Sequence, residues 1–219
     1  MTTIRTNPFH DVWLFQIGAQ PDQVNLGFGR WIVTALFLGL LAGSIVIAAR
    51  EWRADPAQRS AAHGFTWLFR TMMGAMWFQG ALWKLPFPRA PGFSYWPEQI
   101  AQTAPFEVHR DFAREVMLPL LPLFQAPVFL PELFMGITLM LGLMVRLSSA
   151  LGILFVLHLW LGLYLHEHEW PWLFWFMIFT LGMFIIHSAG RSLGLDAALR
   201  REPPSWLKGR LARLYALAS

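Results

Sequence analysis

An all-α integral membrane protein is the fold class this sequence predicts, and three observations predict it. Of its 219 residues, 56% are hydrophobic and 14% charged, against roughly 45–50% apolar and about 25% charged in an ordinary soluble domain. The apolar residues gather into runs long enough to span a bilayer as helices. Twelve tryptophans and 19 phenylalanines make the chain richer in aromatics than a domain of this size needs.

A bilayer span takes about 20 mostly apolar residues. Residues 31–49, 65–85, 128–145, 149–165 and 170–187 fit, giving five spans. The last two are short and leave little room for tilt. The first lies too far from the N-terminus, and is too long, to be a simple secretory signal peptide. With no cysteine, the chain can form no disulfide, iron–sulfur cluster, thiolate metal site or covalently attached c-type haem.

Orientation follows from where Lys and Arg fall. If the connection after the first span is cytoplasmic, one side collects Arg50, Arg53, Arg59, Arg70, Arg146, Arg191, Arg200, Arg201, Lys208, Arg210 and Arg213, eleven of the 17 basic residues. The expected placement is therefore the inner (cytoplasmic) membrane of a bacterium or archaeon, with the N-terminus outside and the C-terminus inside. The net charge of +4 suits phospholipid headgroups as readily as nucleic acid and decides nothing by itself. The apolar spans make membrane lipids the expected partners and give no reason to expect nucleic acid.

The long connection at residues 86–127 falls on the outer side. Its prolines and aromatics mark a functional or docking segment rather than a disordered linker, and residues 99–117 are expected to form one short helix. After Pro203 and Pro204, apolar residues from Trp206 to Ala218 recur at helical spacing opposite Lys208, Arg210 and Arg213. A basic amphipathic helix on the inner leaflet is expected there. Residues 9–17 are expected to lie on the outer surface.

Ionisable residues at membrane depth cost roughly 2.5–3.5 kcal/mol each and need partners or a purpose. In the second span Arg70, Gly74, Trp77, Ala81 and Lys84 share one helical face; in the third, Glu132, Met135, Leu139, Gly142 and Arg146 do the same. Antiparallel neighbours would bring Lys84 opposite Glu132 as an ion pair. They would also bring Arg70 towards Arg146, with Asp196 the nearest anion to stand between them. Snorkelling to water is the plainer alternative for Arg70, Lys84 and Arg146. His158 and His187 fall at different depths, which does not suit paired haem ligation, and His63 reads as an interfacial residue.

The segment YLHEHEWPW (164–172) places two histidines two residues apart, whereas the zincin pattern needs them four apart on a helix. A solvated outer turn is expected, with His166 and His168 as weak metal candidates only. Pro171 followed by Trp172 suits the start of a membrane helix.

Two matching patterns, R-x3-G-x5-G-x3-KL from Arg70 to Leu85 and E-x3-G-x5-G-x3-RL from Glu132 to Leu147, together with HSAGRSLGLD from His187 to Asp196, carry a family resemblance. Over residues 65–199 the chain resembles the DoxX/DoxD family, in particular the DoxD-type small subunit of thiosulfate:quinone oxidoreductase. Ser188 stands where such proteins often have glycine. The resemblance implies a four-helix DoxX-like membrane bundle in residues 65–199. Residues 1–64 add an N-terminal transmembrane helix, and residues 200–219 add the C-terminal interfacial helix. It also implies electron transfer from thiosulfate to quinone, with this chain as the membrane half and a second subunit alongside. Quinone is then the expected bound group, with Lys84, Glu132, Arg70, Arg146 and Asp196 as candidates for binding substrate or quinone. A non-catalytic accessory subunit of a respiratory or photosynthetic membrane complex is the alternative. A transporter finds no support, since no broken helix or inverted repeat is evident.

Overall fold

A computed structural model describes residues 7–17, 27–82, 84–85 and 93–219. Residues 86–92 of the outer connection lie outside the described residues. Every regular element among those described is helical. In chain order these are α1 (Pro8–Gln16), α2 (Gly29–Ala54), α3 (Ala61–Leu82), α4 (Tyr95–Thr103), α5 (Glu107–Asp111), α6 (Leu121–Leu141), α7 (Val145–Gly162), α8 (Pro171–Ile186), α9 (Leu195–Arg201) and α10 (Gly209–Ala218). Short 3-10 turns follow α2 at Pro56–Gln58 and α8 at Ala189–Arg191, and a π-helical turn, Phe112–Met117, continues α5.

Among the described residues α2, α6 and α7 are long and apolar enough to cross a membrane. The apolar α8 has 16 residues, about 24 Å of helix, against a hydrocarbon core of about 30 Å. Helix α3 is long enough, but Arg70, Thr71 and Gln79 interrupt its apolar run. Those three side chains are buried in the protein, while Phe65, Leu68, Phe69 and Met72 point outward. The polar face of α3 is thus its inner face.

Helices α3 and α6 pack closely, antiparallel to each other. A Cβ on Gly74 would come 2.6 Å from Met140 N and 2.9 Å from Gly136 O, and one on Gly136 would come 2.7 Å from Phe78 N. Small residues let the two backbones approach in this way, so the first glycine of each sequence pattern, Gly74 and Gly136, lies on one seam. Against this pair lies α2, where Ser44 donates to Met140 O at 2.7 Å and receives Trp67 Nε1 at 3.0 Å. Farther along, Phe37 meets Phe78 at 5.9 Å between ring centroids. On the other side α7 packs along α8, with Gly152 fitted against Leu181 and Met135.

The expected single helix over residues 99–117 is two helices. Pro105 disfavours a helical conformation at Ala104, which is extended at φ −66°, ψ 134°, and Arg110 Nη1 donates to Ala104 O across the break at 2.7 Å. Helix α6 starts at Leu121 rather than at 128. Pro122 sits in its first turn, where a missing N–H costs nothing, and the helix runs on through Pro127 and Pro131.

The two ends of the assembly are closed differently. At the end where α3 finishes, α4 lies across α7: Gly162 is pressed against Ile100, and Leu165 N donates to Thr103 O at 3.2 Å. At the opposite end α9 and the 3-10 turns lock the helices together. Arg201 forks onto Glu51 at 2.6 and 2.8 Å, and Leu193 N donates to Gln58 Oε1 at 2.7 Å.

Candidate functional site

Lys84 and Glu132 form the contact that their spacing predicts. Lys84 Nζ lies 2.8 Å from Glu132 Oε2 and donates to Gly80 O at 3.0 Å. The Glu132 side chain is 2% exposed and that of Lys84 18%. The carboxylate is therefore held by protein alone, while the ammonium reaches an open space beside it.

That space is a cavity of about 310 Å³, within the range of roughly 300–1,000 Å³ typical of small-molecule sites. Trp96, Phe93, Phe155, Phe174 and Ile100 form apolar walls, and Lys84, His158 and Glu169 supply polar groups. Helices α3, α4 and α7 and the turn before α8 each contribute. The His158 ring stands 5.0 Å from that of His109, so a second imidazole, carried by α5, backs the first. His109 is held below the usual histidine range by burial. The carboxyl of Glu169 is pushed above the usual glutamate range by burial, which the neighbouring His166 partly offsets. Both shifts favour the neutral forms.

The turn at residues 164–172 is thus partly built into the cavity. His166 is buried against Trp96, at 6.2 Å between rings, whereas His168 and Glu167 are exposed and pair with each other at 3.4 Å. The two histidine rings are 5.8 Å apart, with His168 N donating to His166 Nδ1 at 3.3 Å. Among the described residues no group of three or more His, Asp or Glu side chains is placed to hold a metal ion.

No family model, curated protein or solved structure matches this chain. What the cavity can bind has to be read from its walls. A largely apolar space whose lining includes a cation, an imidazole and a carboxyl suits an aromatic molecule bearing oxygen acceptors. Sequence reasoning named Lys84 and Glu132 but gave no such role to Glu169, His158 or Trp96. The cluster HEHE was visible; which of its members turns inward depends on how α4 packs over the turn.

At the other end of the molecule the expected arrangement is corrected. Arg70 does not face Arg146 across Asp196, and it does not snorkel. It is fully buried and donates to Leu139 O and Met140 O at the C-terminus of α6, and to Ser192 O at 3.4 Å. Arg146 turns the other way and donates from Nε to Ile185 O at 3.2 Å, at the end of α8. Each arginine thus adds a charged donor to carbonyls at a helix C-terminus, where the helix dipole favours a cation.

Asp196 is likewise no bridge between them. It accepts from Met144 N at 2.8 Å, Val145 N at 3.2 Å and Tyr215 Oη at 2.6 Å, so it caps the N-terminus of α7. Burial raises its pKa above the usual aspartate range, opposed in order by Tyr215, the two backbone N–H groups and Arg70. The glycines of HSAGRSLGLD make room for it. A Cβ on Gly190 would overlap Asp196 Oδ2, and one on Gly194 would overlap Gly190 O. Ser188 has φ +48°, a left-handed conformation that glycine adopts without cost. Arg70, Arg146 and Asp196 therefore hold helix ends together and lie apart from the Lys84 cavity.

Proposed function

We propose that this chain is the membrane half of a quinone-linked oxidoreductase, and that the cavity beside Lys84 receives a quinone head group. On this reading α3, α6, α7 and α8 form a DoxX-like four-helix bundle and α2 is an added span. The Lys84 end faces outward, and the basic end, with α10, lies at the cytoplasmic leaflet of a bacterial or archaeal inner membrane. The observation that carries the proposal is the wall composition of the cavity: aromatic and aliphatic side chains, with Lys84, His158 and Glu169 among them.

Each polar group has a task that follows from its setting. Lys84, anchored by Glu132, offers an ammonium N–H to a quinone oxygen in a low-dielectric site, where such a charge-assisted bond is strong. His158 offers an imidazole to the cavity. Glu169, its carboxyl pushed up by burial, holds a proton at higher pH than a free glutamate and can pass it to a reduced quinone oxygen. Reduction to the quinol takes two electrons and two protons. The electrons would come from thiosulfate through a second subunit, as the resemblance implies, and the protons through the Glu169 side. Titrating purified protein with a short-tailed benzoquinone, and following quenching of tryptophan fluorescence, tests the site. Saturable quenching that weakens in Lys84→Met and disappears in part with Trp96→Phe is expected; absence of saturable binding would reject it.

A non-catalytic accessory role is the second reading. It is favoured by Phe106, Val108 and Phe112, apolar side chains left exposed at the same end, where a partner could cover them. Co-migration of other subunits on mild-detergent purification, with no quinone binding, would support that role instead.

A further inference from the structure

A second and larger cavity, about 820 Å³, opens at the basic end between α7 and α10. Its walls are almost wholly apolar: Leu143, Leu147 and Ala150 on one side, and Leu211, Leu214 and Leu217 on the other. The three leucines of α10 remain 55–74% exposed, although Tyr215 ties the helix down by its bond to Asp196. Helix α10 therefore stands docked yet leaves an apolar trough beside it.

The charge around this trough is unbalanced. Arg146 lines it, and Arg191 lies within electrostatic reach of both Arg146 and Arg200; burial first, then Arg200 and Arg146, press the Arg191 guanidinium below the ordinary arginine range, opposed in part by Asp196 and Tyr215. Nearby carboxylates are committed elsewhere. Asp196 is occupied by Tyr215 and the start of α7, and Glu51 and Glu202 are both bound by Arg201. Arg191 gives Nη2 to Ser219 O at 3.1 Å, while its buried Nε has no hydrogen-bond partner among the described residues. Like charges gathered beside an apolar trough favour an anion.

We propose that this trough is a binding site for one anionic phospholipid of the bilayer, its phosphate held by Arg146, Arg191 and Arg200 and an acyl chain laid between α7 and α10. The inference rests on the reading that the apolar helices lie in a bilayer, and is independent of what the Lys84 cavity binds. An uncharged or zwitterionic lipid could fill the trough but, having no net negative charge, would leave the excess of positive charge beside it unreduced.

Native mass spectrometry of the detergent-extracted chain, with phosphatidylglycerol or phosphatidylcholine of matched acyl chains, tests it. One phosphatidylglycerol is expected to bind at least about tenfold more tightly than phosphatidylcholine. The double variant Arg191→Gln/Arg200→Gln should weaken phosphatidylglycerol by about 25-fold, roughly fivefold per charge. Leu214→Trp changes an exposed position and no charge, and it should weaken binding by filling the trough. Equal binding of the two lipids, or phosphatidylglycerol binding untouched by both variants, would overturn the proposal. Recovery of the chain in the aqueous fraction without detergent would overturn the membrane reading beneath it.

Discussion

Lys84 and Glu132 sit 2.8 Å apart, and burial divides them: the carboxylate side chain is 2% exposed and the ammonium's 18%. Removing either partner therefore has unequal consequences. Lys84→Met leaves a carboxylate enclosed in protein and is expected to cost about 3 kcal/mol, whereas Glu132→Gln leaves an ammonium that still reaches Gly80 O and the cavity, at about 1 kcal/mol. The double change Lys84→Met/Glu132→Leu should recover most of the loss. Unfolding by SDS titration in mixed micelles, followed by circular dichroism, measures all three.

The seam between α3 and α6 tolerates no added methyl. Gly74→Ala and Gly136→Ala place a Cβ within 3 Å of backbone on the facing helix and should each cost about 2–3 kcal/mol. Gly182→Ala in α8 meets nothing within 4 Å and should be neutral or slightly stabilising, since alanine is the better helix former. Thermal midpoints of the three variants in one detergent check the contrast.

Ser188 carries a left-handed backbone at φ +48°. Ser188→Gly relieves a conformation that costs a non-glycine residue roughly 1–2 kcal/mol, less the entropy glycine loses on folding. A net gain of about 0.5–1 kcal/mol is expected, read as a higher thermal midpoint.

Tyr215→Phe deletes the phenolic donor to Asp196. Burial raises the Asp196 pKa above its unfolded value. The folded form thus binds more protons between the two pKa values, and the stability Asp196 contributes falls as pH rises through that window. Tyr215 opposes this by favouring the carboxylate, and its own hydroxyl is raised by burial and by that carboxylate. Loss of the phenol should therefore cost more near pH 7, about 1.5–3 kcal/mol, than near pH 4. Unfolding measured at both pH values reads the difference.

What the sequence made legible was whatever repeats at helical spacing. Arg70, Gly74, Trp77, Ala81 and Lys84 share one face and Glu132, Met135, Leu139, Gly142 and Arg146 another, and the opposite directions of the two helices then set Lys84 against Glu132. The partners of Arg70 and Arg146 stayed hidden because they are backbone carbonyls at helix ends, which no residue type announces. Asp196 was visible as an acid near two arginines, yet its strongest claims come from N–H groups of Met144 and Val145 and from Tyr215 on a helix nineteen residues later. The cavity escaped notice for a similar reason. Pro105 breaks the expected helix, α4 folds over α7, and only that packing brings Trp96 and Glu169 to the side of Lys84.

What the Lys84 cavity holds decides whether this chain handles quinone. Photolabelling the reconstituted chain with an azido-benzoquinone and mapping the modified peptides decides it. Labelling within residues 93–103 and 155–174, suppressed by excess unlabelled quinone and weakened in Lys84→Met, is the predicted result. Labelling confined to the trough between α7 and α10, or spread over lipid-facing positions without competition, would contradict it.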